Sequence, residues 1–144
     1  MIDKIVLEKK LPGVKVVTKE LTVSTNNDAK EMIDSSPADT LITSEKQTGG
    51  RGRQGKSFSS PEGGLYMTLL LRCGMPITTA VGATSCSAVA VSRAIKNVCG
   101  IDTGIKWVND IYAGGKKLCG ILTEAVNDYS RGISEYLVIG IGIN

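Results

Sequence analysis

Eleven consecutive residues, Gln47-Thr48-Gly49-Gly50-Arg51-Gly52-Arg53-Gln54-Gly55-Lys56-Ser57, bring together four glycines, two arginines and a lysine. Glycine admits positive φ and lets backbone N–H groups come close to a ligand. The planar arginine fork matches paired phosphate or carboxylate oxygens. The chemistry open to such a segment is to surround an anion. The chain has no histidine, which excludes every Ser/His or Cys/His nucleophile–base pair. Catalysis would have to rest on Lys, Arg, Asp, Glu and backbone groups.

Two well-known nucleotide patterns both fit the segment. Gly50 to Ser57 satisfies G-x-x-x-x-G-K-[ST], and Gly50, Gly52 and Gly55 satisfy G-x-G-x-x-G. Each needs a helix opening at the last glycine, so that phosphate meets the helix N-terminus. The chain instead continues as Ser57-Phe58-Ser59-Ser60-Pro61-Glu62-Gly63-Gly64, and a proline with two glycines forbids a useful helix. The parallel α/β alternation of both folds is missing too. The segment reads as a long cationic loop that orders around its ligand.

The elements that must position this loop can be read in order. A strand is expected near 14–22, and a helix opens at Ser24-Thr25-Asn26-Asn27-Asp28, with Thr25 and Asp28 as a capping box. Ala29, Met32 and Ile33 form its inner face, and Pro37 ends it. Thr40 to Ser44 is a short strand leading into the loop. Gly64 to Leu71 is an apolar strand, expected to be central and covered on both faces. Pro76 precedes one long helix to about Cys99, capped by Gly100, with Ile77, Val81, Ala88, Val91, Ile95 and Val98 facing the core. Ile105-Lys106-Trp107 and Asp110-Ile111-Tyr112 come next, then a hairpin turn at Gly114-Gly115. Strands over Lys116–Val126 and Tyr136–Ile143 flank a turn at 127–132. Strands outnumber helices and tight turns join neighbours, so the fold class is α+β: a mixed, largely antiparallel sheet with helices packed on it.

At 144 residues the chain fits one domain with a sizeable core. Apolar residues at 42% and charged residues at 22% are those of a soluble globular protein, not a disordered one. Much of the net charge of +3 sits in the loop and in Lys116-Lys117, so it reads as local anion binding and not as a nucleic-acid surface. Lys9, Lys10, Lys15 and Lys19 read as solvated. Cys73, Cys86, Cys99 and Cys119 lie 13, 13 and 20 residues apart with no C-x-x-C, which argues against zinc and for free thiols in a cytoplasmic protein. The N-terminus lacks the apolar run of a signal peptide. The uncharged stretch 77–92 is too short and too rich in Ser and Thr to span a membrane. The apolar end at Asn144 reads as the end of a fragment.

Four blocks in this order and spacing resemble the catalytic domain of biotin–protein ligases: Ser24-Thr25-Asn26; Gln47 with Gly50-Arg51-Gly52-Arg53-Gln54-Gly55; Lys106-Trp107-Val108-Asn109-Asp110; and Lys117-Leu118-Cys119-Gly120-Ile121-Leu122. Gly140-Ile141-Gly142-Ile143-Asn144 supports them. The resemblance covers Ser24 to Asn144 and makes residues 1–144 a catalytic domain, incomplete at its C-terminal part. It implies a fold like that of class II aminoacyl-tRNA synthetases, with ATP, biotin and Mg²⁺ required. Biotin is activated to biotinyl-5′-AMP and then transferred to a lysine of a biotin carboxyl carrier domain. No DNA or membrane partner is implied, and a homodimer is compatible with it.

By the same resemblance, Lys117, Arg53 and Asp110 are the catalytic residues, with Lys117 bridging biotin's carboxylate and the α-phosphate. The alternative for Lys117 is an exposed hairpin lysine like Lys116. Ser24, Thr25, Gln47, Gly50, Arg51, Lys117, Gly120 and Leu122 are implied at biotin; Arg51, Arg53, Trp107, Asn109 and Asn144 at the nucleotide; Asp110 at the metal. Trp107 packs against ligand or, by default, core. Adenylation joins an anionic nucleophile to an anionic phosphate, so positive charge and positioning suffice without histidine.

Two departures stand out. Val108 replaces the family's common proline, freeing φ before Asn109-Asp110. Family members continue beyond Asn144 with further elements on the nucleotide side and a small β-barrel, and bifunctional members carry an N-terminal DNA-binding domain; repressor activity is therefore not expected here. The competing readings are a catalytically incomplete biotin- or adenylate-binding module and a lipoate-type ligase of the same fold, which Gly-Arg-Gly-Arg argues against.

Overall fold

The computed structural model describes residues 2–144, and Met1 lies outside the described residues. Among the described residues seven strands form one sheet: β1 (Lys15–Thr22), β2 (Thr40–Gln47), β3 (Leu65–Pro76), β4 (Gly104–Lys106), β5 (Asp110–Ala113), β6 (Lys116–Asp128) and β7 (Ile133–Ile143). Their order is β1-β2-β3-β7-β6-β5-β4. Only β1 and β2 run parallel; all other neighbours are antiparallel. The sheet is therefore mixed and largely antiparallel, as the sequence predicts. A parallel pair needs a crossover, and α2 (Thr25–Glu31) supplies it.

The apolar run of β3 lies between β2 and β7, and the two faces of the sheet are covered by different helices. One face packs Leu137, Ile139, Ile141, Ile121 and Ile111 against Ala88, Val91 and Ile95 of α4 (Ala83–Cys99). The other packs Val138, Leu70 and Ile42 against Ala29 of α2. Successive residues of a strand point to opposite faces, so β7 serves both cores with one continuous apolar run. Gly114 and Gly115, at φ 55° and 76°, make the two-residue turn between β5 and β6.

The helices differ from expectation in four ways. Residues 77–99 form not one helix but α3 (Ile77–Ala80) and α4, separated at Val81-Gly82, where glycine's low helix propensity favours the interruption. Val81 and Val98, expected in the core, are 75% and 84% exposed, because the interruption shifts the phase before Ala83 and the core cluster ends at Ile95. Gly100 does cap α4 in the left-handed region, its N–H donating to Lys96 O at 2.9 Å. The N-cap of α2 is Ser24, not Thr25, and α2 ends at Glu31, well short of Pro37. Thr25 lies inside the helix because its hydroxyl is drawn to Gln47. Finally, α1 (Lys4–Lys10) has no signal in the sequence pattern: Asp3 Oδ1 accepts from the N–H groups of Ile5 and Val6, but α1 buries no residue and so carries no apolar stripe.

Candidate active site

A cleft of about 270 Å³ opens on the α2 side of the sheet. Its floor is made by β6 and β7, where Gly120 pairs with Gly142 and Leu122 with Gly140. The glycines are required by what crosses above them. A Cβ at Gly140 would stand 2.1 Å from Asn26 Oδ1, and one at Gly142 would stand 2.4 Å from the Phe58 ring. Gly120 also faces Phe58, at 2.9 Å. The absence of a side chain at Gly120 makes room for this ring.

The cationic loop forms a flap over the floor. Thr48 and Gly49 donate to Thr22 O and Val23 O, at 3.0 and 2.8 Å, and fix its base. Arg51 pairs with Ser57, while Gly52 donates to Lys56 O at 2.7 Å, closing a short hairpin. Its tip, Arg53–Gly55, is one 3₁₀ turn with Gln54 at φ 56°. No helix opens after Gly55, in keeping with the exclusion of both nucleotide patterns. Gly50 supports the flap from behind and does not line the cleft: its Cβ would lie 2.4 Å from Phe58 O and 2.6 Å from Ser60 Oγ.

At one end the cleft is polar and uncharged. Thr25 N–H donates to Gln47 Oε1 at 2.9 Å, with the Thr25 hydroxyl 3.1 Å away. Gln47 Nε2 donates to Ser60 Oγ at 2.9 Å, which fixes the amide's orientation and ties the flap's stem to α2. Thr68 adds its hydroxyl, 2.8 Å from Thr25 Oγ1 and 2.7 Å from Asn26 Oδ1. Ser24, Thr25 and Asn26 are all buried here.

At the other end the cleft is cationic. Lys117 Nζ lies 2.8 Å from Asp110 Oδ1, which also accepts from Asn109 Nδ2 at 3.1 Å. Arg53 reaches down from the flap to donate to Asn109 Oδ1 at 3.2 Å. A bulge explains how Lys117 comes to be there. Ile111 is opposite Cys119 but Tyr112 is opposite Lys117, so Leu118 is an extra residue in β6. Regular alternation would put Lys117 on the core face with Cys119; the bulge turns it to the face of Gly120 and Asp110. Lys116, opposite Ala113 at the hairpin, stays outside the cleft. Burial pushes the Cys119 thiol up to about 12, against the lowering effect of Lys117's charge.

Of the predicted site residues, Ser24, Thr25, Gln47, Arg51, Arg53, Asn109, Asp110, Lys117, Gly120 and Leu122 line this one cleft. Trp107 does not: it is 80% exposed at the β4–β5 turn, neither in the core nor in the cleft, because β4 is the sheet's edge. Asn144 stands behind the cleft, accepting from Tyr66 Oη at 2.7 Å and donating to Ser59 O at 3.1 Å. Asn26, Phe58, Gly140 and Gly142 also line the cleft, although sequence reasoning assigns them no site role; the signals that point to them are the block Ser24-Thr25-Asn26 and the alternation Gly140-Ile141-Gly142-Ile143. Among the described residues no three His, Cys, Asp or Glu side chains form a metal cluster. Asp110 is the one carboxylate among the described residues that line the cleft, in contact with Lys117 and Asn109, and one carboxylate suffices for a magnesium ion that takes its other ligands from phosphates and water.

The chain resembles known proteins along nearly all its length. Residues 12–144 match the model of the biotin/lipoate A/B protein ligase family. The bifunctional ligase/repressor BirA of Bacillus spizizenii is 40% identical over 96% of this chain and 42% of its own. The biotin–[acetyl-CoA-carboxylase] ligase of Paracoccus denitrificans is 31% identical over 85% of this chain and 51% of its own. Among solved structures, Leishmania major biotin protein ligase in complex with biotinyl-5-AMP superposes with a TM-score of 0.76 at 26% identity, covering 93% of this chain and 57% of that one. The Aquifex aeolicus enzyme in complex with biotin and ATP gives 0.69 at 31%, over 90% and 52%. The chain thus spans about half the length of these relatives. A fold, a cleft and a sequence that agree in this way have one conclusion: the chain belongs to the biotin/lipoate A/B protein ligase family.

Proposed function

We propose that the chain belongs to the catalytic domain of a biotin–protein ligase, which activates biotin with ATP and passes it to a lysine of a biotin carboxyl carrier protein. The observation that carries this reading is the polarity of the cleft: uncharged hydrogen-bonding groups at one end, and Lys117 and Arg53 at the other. A ligand with a neutral polar head and an anionic tail fits that gradient, and the relatives include proteins solved with biotin, ATP and biotinyl-5-AMP.

On this reading the ureido ring meets Thr25, Ser24 and Gln47, and the hydrocarbon body lies along Leu122 and the Phe58 ring that covers Gly120. In the first step a biotin carboxylate oxygen attacks the α-phosphorus of ATP; an O–P bond forms, the bridge to the β-phosphate breaks, and pyrophosphate leaves. Lys117 follows the attacking oxygen as it passes from carboxylate to anhydride, a role suited to a compact charge on a flexible stem. Arg51 and Arg53 supply positive charge from the flap and exclude water. Asp110 holds Lys117 in place and, in the second step, orients the acceptor amine. That amine attacks the acyl carbon, a C–N bond forms, AMP leaves with the C–O electrons, and one proton is lost. A magnesium ion bound here would be held by Asp110 together with the nucleotide's phosphates, whose charge it would neutralise.

The deciding experiment is biotin-dependent exchange of labelled pyrophosphate into ATP. Exchange above the biotin-free rate is expected. Biotin binding without exchange would favour the binding-module reading, which the chain's partial coverage of its relatives motivates. Equal competition by lipoate would favour the lipoate-type ligase.

A further inference from the structure

Glu124, on β6 beyond Leu122, is a carboxylate beside the uncharged end of the cleft that touches both α2 and the flap. Its Oε1 is 2.6 Å from Lys30 Nζ, its Oε2 accepts from Asn26 Nδ2 at 3.0 Å, and Arg51 of the flap lies 3.9 Å away. Asn26 and Lys30 stand one turn apart on α2 and so share the face that meets it. Arg51 is bound in turn by Asn27 Oδ1, the neighbour of Asn26.

The direction of these bonds is what gives Glu124 its role. A carboxylate only accepts, so Asn26 must present Nδ2 to it and Oδ1 to Thr68. Thr25 and Thr68 then have two hydroxyl protons for three oxygen–oxygen contacts, at 3.1, 2.8 and 2.7 Å. The Thr25 proton goes to Gln47 Oε1, and the single Thr68 proton has two acceptors, Thr25 Oγ1 and Asn26 Oδ1; with Oδ1 turned toward it, an atom that only accepts, Thr68 gives its proton to Asn26. That leaves the lone pairs of Thr25 Oγ1 to accept from a ligand. If the Asn26 amide turned over, Nδ2 would donate to Thr68, the Thr68 proton would pass to Thr25 Oγ1, and a lone pair open to the ligand would be taken up.

We infer that Glu124 is a positioning residue that sets the donor–acceptor sense of the Asn26–Thr68–Thr25 relay and, through the charge of Arg51, holds the flap over the cleft. The inference deepens the proposed ligase reading for its ligand but not for the flap, whose closure needs no ligand. Lys30 provides the control, because it shares the same carboxylate yet touches neither relay nor flap.

The test compares wild type, Glu124→Gln and Lys30→Met by two measurements. The first is the rate of tryptic cleavage after Arg51, Arg53 and Lys56 without ligand. The second is biotin affinity by calorimetry. Losing a charged hydrogen-bond partner is expected to raise flap cleavage and weaken biotin about tenfold in Glu124→Gln, with Lys30→Met within about twofold of wild type. Equal changes in both variants would reduce Glu124 to an ion pair fastening α2 and overturn the inference, as would no change in either. A wild type that binds no biotin would sink the ligand reading, while cleavage of the flap still decides the role of Glu124.

Discussion

Lys117 Nζ and Asp110 Oδ1 lie 2.8 Å apart, and Lys117 joins Asp110 on the cleft face only because Leu118 is inserted as a bulge between Lys117 and Cys119. The ammonium is held by one carboxylate and is partly exposed, so it retains room to move toward a second anion. The pair is a mount for a mobile cation.

Removing that cation tests the proposed first step. Lys117→Ala is expected to lower biotin-dependent pyrophosphate exchange about a hundredfold or more, the scale of losing one preorganised charge-stabilising group. Lys117→Arg should recover little, since a planar fork cannot follow an oxygen between partners. Exchange within a few-fold of wild type in Lys117→Ala would remove it from this role.

Arg53 anchors the flap's tip through its bond to Asn109 Oδ1 at 3.2 Å. Arg53→Gly should leave adenylate formation measurable but speed release of biotinyl-AMP about tenfold, the loss of one charged hydrogen bond. Stopped-flow dissociation of the intermediate gives the rate directly.

The glycine floor makes a steric prediction. Gly140→Ala would bring a methyl within 2.1 Å of Asn26 Oδ1 and force that buried side chain to move. A loss of about 1–3 kcal/mol in unfolding free energy is expected from such overpacking, together with weaker biotin binding. A Gly104→Ala control has nothing within 4 Å of the new methyl and should show neither effect.

Stability should depend on acid through Glu124. Burial pushes its carboxyl up, but hydrogen bonds from Lys30 and Asn26 and the charges of Lys30 and Arg51 outweigh burial and leave it below its ordinary 4.5. A carboxyl lowered on folding contributes stability above its unfolded value, and that contribution is lost as pH falls through the folded one. Urea unfolding should therefore separate wild type from Glu124→Gln at pH 7, with the gap closing below pH 4.5.

The thiols should divide by exposure. Cys86 and Cys99 are exposed and should react quickly with a thiol reagent at pH 8. Cys119 is buried with its pKa raised to about 12, so it should react only on unfolding. Fast modification of all four would contradict the packing of β6 against α4.

The sequence by itself determined the sheet class and the flap, while most of the cleft's polar groups were implied only by its resemblance to a known family. The sheet class and the flap arise from local physics: turn glycines at 114 and 115, an apolar run at 65–71, and Arg-Gly-Arg with no helix behind it. The order of strands and the bulge at Leu118 needed the tertiary structure. Periodicity alone places Lys117 with Cys119 on the core face, and only the pairing of β5 with β6 turns it over. Trp107 shows the same limit from the other side: a lone tryptophan is expected in a core, but the edge position of β4 leaves it in solvent. Glu124 carries no local signal, because its partners Asn26, Lys30 and Arg51 lie far away in sequence. Local conformation is encoded in neighbouring residues; which side chains share a cleft is decided by pairing between distant strands, where a shift of one residue reverses every face.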